Sequence, residues 1–266
     1  LADLVFAPVA DQVFAHATEA GFAESWLGAS AFSLQVFCDF AGYSLCAIGT
    51  ALLFGFRFPM NFESPFGSVG IAELWTRWHM SLASWMRDYV FTPLGGYRKG
   101  HARGHVNVLV TFALVGLWHG AAWTFVLWGA VHGLFLVGER LLRQHVWDFA
   151  KVRNAPARVV FAIVTFGLFT VAVVFFRASS IGQAWTLVSA MFTPGTRSAL
   201  VAFNVSIVAI VAGAVMIGAQ IRYGHLRGWD WLESWSATPR AVSIALALMA
   251  IVLSPGFNPA FIYFQF

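Results

Sequence analysis

Apolar stretches at 32–56, 106–138, 159–176, 200–221 and 241–253 decide which solvent this chain is built for. A helix needs roughly 20 apolar residues to cross a hydrocarbon core about 30 Å thick. Such stretches recur in a chain of 266 residues that is 59% hydrophobic and 11% charged, against about 25% charged in a soluble domain. Twelve Trp and 27 Phe fit the same solvent, because membrane proteins use aromatic rings at interfaces and as bulky packing. The implied fold class is all-α: a polytopic helical bundle in the lipid bilayer, read as a single membrane-embedded domain over 1–266. The net charge of +4 sits in clusters of Lys and Arg, so it reports topology and gives no reason to expect a nucleic-acid partner. Cys38 and Cys46 are the only cysteines and form no C-x-x-C, so neither a disulfide scaffold nor a metal site is expected. Leu1 is not followed by a basic segment and a short apolar run; no signal peptide is expected, and residues are expected to precede Leu1 in the intact protein.

The first apolar stretch, 32–56, carries Gln35, Asp39, Tyr43 and Ser44. An ionised Asp near the bilayer centre costs about 2.5–3.5 kcal/mol, so Asp39 should face protein or a water-filled cavity. Pro59 and Pro65 bracket Asn61 in a segment that cannot continue the helix. Over 72–89 the spacing of Trp75, Trp78, His79, Leu82, Trp85, Met86 and Tyr89 predicts an amphipathic helix with His79 on its apolar stripe. Its two Arg and two acids favour an interfacial or re-entrant position over a crossing.

Two basic clusters follow: Arg98, Lys99, His101, Arg103 and His105, then Arg140, Arg143, Lys151, Arg153 and Arg158. Both are expected on the cytoplasmic side. The apolar region between them, 106–138, is punctuated by Gly116, Gly120, Gly129 and Gly133, and reads as a broken helical hairpin carrying His119. His119 lies 14 positions beyond His105, roughly 20 Å deep if the path is helical. The segment 184–192 is too short to cross alone. The connector 222–240, with Trp229, Trp231 and Trp235 among charges, has the composition of a surface-lying segment.

Candidate chemistry begins with two histidines in apolar, aromatic company: Trp78-His79, and Trp118-His119-Gly120. Burial favours the uncharged imidazole, which can take a proton from an alcohol and so suits acyl transfer to a hydroxyl. The plainer alternative for each is a packed or hydrogen-bonded core histidine. Asp39 can orient a histidine, hold an arginine, or make a structural hydrogen bond near Tyr43. Arg77 can bind an anionic donor, although Glu73, four residues earlier, offers a simple helix pair. Gly95-Gly96 can form an anion nest or merely a turn after Pro93. His16, His101, His105, His145 and His225 stand beside polar residues and read as solvated; His132, in the apolar hairpin, does not. The chain contains no G-x-S-x-G, P-loop, H-E-x-x-H or dinucleotide fingerprint.

Five blocks in order, 35–49 (QVFCDFAGYSLCAIG), 54–61 (FGFRFPMN), 73–82 (ELWTRWHMSL), 87–96 (RDYVFTPLGG) and 116–133 (GLWHGAAWTFVLWGAVHG), resemble the membrane-bound O-acyltransferase family, and within it the alginate O-acetylase type. The resemblance is dense from about 33 to 140 and extends weakly to 261–266 (FIYFQF). It implies a bundle with broken or re-entrant helices around a central funnel, in which acyl donor and acceptor meet at a histidine. The family's essential histidine matches His119, and its second active-site position matches His79. Asp39, Asn61, Arg77, Trp78 and Trp118 are then candidates for binding or orienting substrate or donor. Cys38 and Leu45 depart from the aromatic and acidic residues expected beside the DF-GYS block, and the first half of the family's membrane core is not in this chain.

The implied function is an O-acyltransferase, acetylating hydroxyls of an exported, alginate-like polysaccharide or a partner that completes the transfer. D-Alanyl transfer to a cell-envelope polymer is the alternative within the family, disfavoured by Pro93-Leu94-Gly95-Gly96. No bound cofactor is expected; acetyl-CoA from the cytoplasmic side is the expected donor. The expected partners are periplasmic acetyltransferase and export proteins, and the expected location is a bacterial inner membrane. Outside the family, a haem-binding subunit would use His119 and His132, 13 apart as on one cytochrome helix. A transporter would use intramembrane His and Asp39, but the inverted repeats common in transporters are not evident.

Overall fold

The computed structural model describes residues 1–152, 154–194, 199–224 and 234–253, and among these the regular elements are helices, with no strand. His225, Trp229, Trp231, Arg153 and the terminal FIYFQF block lie outside the described residues. The chain starts with a π-helical turn, Ala2–Phe6, that runs into α1 (Ala7–Ala15), with Pro8 in its first turn. Sequence reading carried no expectation here. Helix α1 buries Val9, Ala10, Val13 and Phe14, and packs so closely on α2 that a Cβ at Gly28 would stand 2.5 Å from Val13.

Helix α2 (Phe22–Leu53) begins ten residues before the expected span. Its 32 residues extend about 48 Å, well beyond the hydrocarbon thickness, so one crossing leaves a long interfacial extension. Glu24 anchors its start, accepting from the Gly21 amide at 3.4 Å and from the Leu200 amide at 2.6 Å.

The stretch 72–89 is not one helix. It is α3 (Ile71–Arg77), a break at Trp78-His79, α4 (Met80–Met86), and a π-helical turn at Arg87–Phe91. The start of α3 is pinned from two sides: the Gly70 amide donates to Thr165 Oγ1 at 2.8 Å, and the Ala72 amide donates to Glu139 at 3.1 Å. Gly70 has φ +102°, and a Cβ there would meet the Glu139 carboxylate at 2.7 Å, so only glycine fits.

Two continuous helices, α5 (His101–His119) and α6 (Trp123–His145), form a hairpin joined at Gly120–Ala122. His101, Arg103 and His105 therefore belong to the start of α5 and not to a loop. Of the glycines read as breaks, Gly120 lies at the turn, whereas Gly116 and Gly129 lie within the helices and serve another purpose. A Cβ at Gly116 would lie 2.1 Å from the Phe125 carbonyl oxygen, and one at Gly129 would lie 2.0 Å from that of Phe112. Small residues here let the backbones touch, the usual means of packing helices in lipid.

Helix α7 (Ala155–Arg177) starts at Asn154, whose side chain accepts from the Ala157 amide at 2.8 Å. Helix α8 (Ile181–Met191) has 11 residues, and α9 (Phe203–Tyr223) and α10 (Ala237–Leu253) follow. Among the described helices, α2, α6, α7 and α9 are long and apolar enough to cross a membrane. The core lies against α7, on which α2, α3 and the turn Pro65–Gly67 pack, around fully buried Phe32, Phe66, Leu74 and Phe169.

Candidate active site

Residue 79 is where the amphipathic pattern and the backbone part company. Trp78 is extended (φ −111°, ψ 127°) and His79 is left-handed (φ 44°, ψ 52°), a conformation that costs a non-glycine residue roughly 1–2 kcal/mol. Two sets of contacts hold it. Trp78 is drawn into an aromatic cage, with ring centroids 4.8 Å from Phe169, 5.1 Å from Phe62, 5.9 Å from Phe66 and 6.1 Å from Phe37. Asn61 caps the new helix: its carbonyl accepts from the Met80 amide at 3.0 Å, and its Oδ1 accepts from the Ser81 amide at 3.1 Å and from Ser81 Oγ at 3.0 Å. Asn61 Nδ2 donates in turn to Ser44 Oγ at 3.4 Å.

This network also sets the proton on His79. Ser81 Oγ lies 3.4 Å from His79 Nδ1. Because the one hydroxyl proton of Ser81 goes to Asn61, its oxygen accepts from Nδ1–H. In the neutral ring Nε2 then keeps its lone pair; it is buried and has no hydrogen-bond partner among the described residues. The ring sits edge-on to Phe40 at 4.7 Å and to Trp118 at 6.0 Å.

His119 ends α5 at the tip of the hairpin. Its ring packs against Trp118 at 5.0 Å, Trp128 at 5.1 Å and Phe176 at 5.2 Å. Gly120 turns the chain in close quarters: a Cβ there would meet the Phe125 ring at 2.5 Å. The two Trp-His pairs, 40 positions apart in sequence, therefore converge on one indole, Trp118, which is 57% exposed.

The other candidates divide. Asn61 is tied to His79 through Ser81. Asp39 is half-buried on α2, beside the Phe40 that packs on His79. Trp78 is a core residue, 5% exposed. Arg77 braces the outside of the site: it pairs with Glu73 at 2.7 Å and donates to the Gly224 carbonyl at 3.0 Å. Ser81, Phe40, Trp128 and Phe176 carried no functional expectation, since nothing local in sequence ties them to the histidines. His119 and His132 lie on different helices, so the one-helix haem arrangement is not met.

A cavity of about 850 Å³ opens between α3–α4 and the hairpin. Its apolar lining includes Met80, next to His79, and Val115, one turn before His119; Tyr97, Arg87, Arg140 and Arg143, the last paired with Glu139 at 2.6 Å, and Asp148 add polar groups. Neither histidine lines it. The basic clusters at the start of α5 and the end of α6 share one end of the hairpin, where the Arg140 guanidinium lies 3.8 Å over the Tyr97 ring. His119 stands at the other end, about 27 Å away along α5.

Residues 6–181 match the family described as MBOAT, membrane-bound O-acyltransferase. The chain is 46% identical to the "Probable alginate O-acetylase AlgI" of Azotobacter vinelandii, over 71% of this chain and 36% of that protein. It is 36% identical to the protein of the same name from Pseudomonas putida, over 98% of this chain and 57% of that one. It is also 34% identical to the peptidoglycan O-acetyltransferase of Helicobacter pylori, over 68% of this chain and 34% of that protein. The chain thus spans from about a third to somewhat over half the length of these relatives. With the family match covering most of its residues, this chain belongs to the membrane-bound O-acyltransferase family.

Proposed function

We propose that this chain carries the reaction centre of an O-acetyltransferase that esterifies hydroxyls of an exported polysaccharide. The observation that carries the reading is the convergence of His79 and His119 on the exposed Trp118 ring. His119 takes the proton of an acceptor hydroxyl as its oxygen attacks the acetyl thioester carbon. The new C–O bond forms, the C–S bond breaks, and the proton passes from His119 to the departing thiolate. No covalent acyl-serine is required.

His79 is given the orienting role. An oxyanion needs a hydrogen-bond donor, whereas the Nδ1-protonated ring offers an acceptor at Nε2. It holds a neighbouring sugar hydroxyl while His119 works on the reacting one. Acetyl-CoA is the proposed donor. The cavity lies at the basic end of the hairpin, and its arginines, Arg87, Arg140 and Arg143, outnumber its acids, Glu139 and Asp148, which favours the donor's phosphates. That end is proposed to face the cytoplasm of a bacterial inner membrane, with export and periplasmic acetyltransferase partners on the opposite side.

The test replaces His119 by Ala in the complete protein and compares O-acetyl esters on the exported polymer at matched membrane levels. Loss of the esters is expected; esters at the wild-type level would return His119 to the role of a core histidine.

A further inference from the structure

His132 belongs to neither the reaction just described nor an ordinary apolar core. It is 0% exposed in α6, enclosed by Trp128 at 5.1 Å, Trp75 at 5.2 Å and Phe169 at 5.7 Å. Trp75 Nε1 donates to His132 Nδ1 at 3.4 Å. An indole N–H can only donate, so Nδ1 accepts and the proton of the neutral ring sits on Nε2. His132 Nε2 and the neighbouring Trp128 Nε1 are both buried without a hydrogen-bond partner among the described residues. A phenyl ring would fill this cage and remove the unpaired Nε2–H, but it would strand the Trp75 Nε1–H in turn, and an unpaired buried donor costs its full desolvation. What imidazole provides and phenyl does not is an acceptor for Trp75.

That bond, with the one from the Ala72 amide to Glu139, ties α3, which leads to His79, to α6, whose Trp128 packs on His119. Trp75 lies on α3, four residues before His79. Trp128 touches His132 on one side and His119 on the other, each at 5.1 Å between ring centroids. We propose that His132 is a positioning residue that keys α3 to α6 through Trp75 and Trp128, and so places His79 and His119 together at Trp118. The proposal rests on the acyl-transfer reading above. It gives His132 no contact with donor or acceptor.

The test uses chromosomal substitutions in the complete protein, reading O-acetyl esters on the host's own exported polymer per unit of membrane-inserted protein, with thermal unfolding in detergent alongside. His132→Phe keeps the packing and removes the acceptor; a ten- to hundredfold loss of rate is expected, the size that follows from small misplacement of reacting groups. Its unfolding temperature is expected close to wild type, because one unpaired buried donor, His132 Nε2–H, is exchanged for another, Trp75 Nε1–H. His132→Asn, which keeps an acceptor near the Nδ1 position, should recover a large part of the rate. Trp75→Phe, which removes the donor and keeps a ring, should lose rate in the same direction. Wild-type rate in His132→Phe or Trp75→Phe overturns the proposal, as does a loss explained entirely by lower stability and not rescued by Asn. If His132→Phe does not accumulate, Trp75→Phe decides alone. His119→Ala runs beside them: if it keeps its esters the acyl-transfer reading fails, whereas its loss with normal His132→Phe rejects only the role of His132.

Discussion

His79 is held by hydrogen bonds and an unfavourable backbone angle, whereas His119, which shares Trp118 with it, is held by shape. The first sits at a break in a short amphipathic run, and Asn61 and Ser81 keep the break open. The second sits at the end of a hairpin whose helices touch through Gly116 and Gly129 and whose tip is filled by Trp128, Phe125 and Phe176. The difference is physically apt. A polar network fixes a tautomer as well as a position, which packing cannot do; close packing fixes a position in lipid, where hydrophobic burial gives helices no reason to associate. The two histidines should therefore fail differently when their supports are removed.

The largest effect belongs to the packed side. Gly→Ala in an isolated helix is favourable by about 1 kcal/mol. At Gly129, however, the added Cβ would stand 2.0 Å from a carbonyl oxygen, and backbone on both sides would have to move. Gly129→Ala is expected to prevent stable accumulation in the membrane, measured by blot and by melting in detergent. Gly138→Ala, in the same helix with nothing within 4 Å of its added Cβ, should be neutral or slightly stabilising. Equal behaviour of the two would show that close approach is not what builds the hairpin.

A smaller effect, on activity more than on accumulation, belongs to the polar side. Asn61→Ala strips the cap from α4, typically worth about 1 kcal/mol, and releases Ser81 from its acceptor. Acetylation should fall by about tenfold or more, the equivalent of about 1.4 kcal/mol at the transition state, with the protein still in the membrane. Asn61→Asp, which keeps the Oδ1 acceptor and loses the amide bond to Ser44, should fall between Asn61→Ala and wild type. A wild-type rate in Asn61→Ala would mean that His79 is placed by its aromatic neighbours and not by the cap.

The same contrast explains what could be read in sequence. Hydrocarbon-length runs such as 159–176 and the two Trp-His pairs are local signals, and both survive into the structure as α7 and as the convergence on Trp118. The break at His79 is not local. Its spacing continues an amphipathic helix, and what opens it is Asn61 from upstream together with a cage built by Phe62, Phe66 and Phe169. Glycine is ambiguous in the same sense: in one sequence a break and a backbone contact look alike, and only the partner helix distinguishes Gly129 from Gly120. The 32-residue length of α2 was hidden because its start is anchored by Glu24, whose second partner, the Leu200 amide, lies 176 residues away.

The finest test separates position from tautomer. Ser81→Ala leaves Asn61 on the Ser81 amide, so α4 keeps its cap, but His79 Nδ1 loses the oxygen that holds its proton. A neutral hydrogen bond is worth about 0.5–1.5 kcal/mol net, so the population of the Nδ1-protonated ring should fall by roughly two- to twelvefold relative to the other tautomer. Acetylation should fall by no more than that factor, with wild-type accumulation, and Ser81→Thr should retain the rate because the hydroxyl remains. Nitrogen chemical shifts of labelled histidine report the tautomer directly. If the shifts move and the rate does not, Nε2 need not be an acceptor, and the oxyanion-stabilising role for His79 becomes the better account; if both move together, the lone pair at Nε2 is what the Asn61–Ser81 network exists to present.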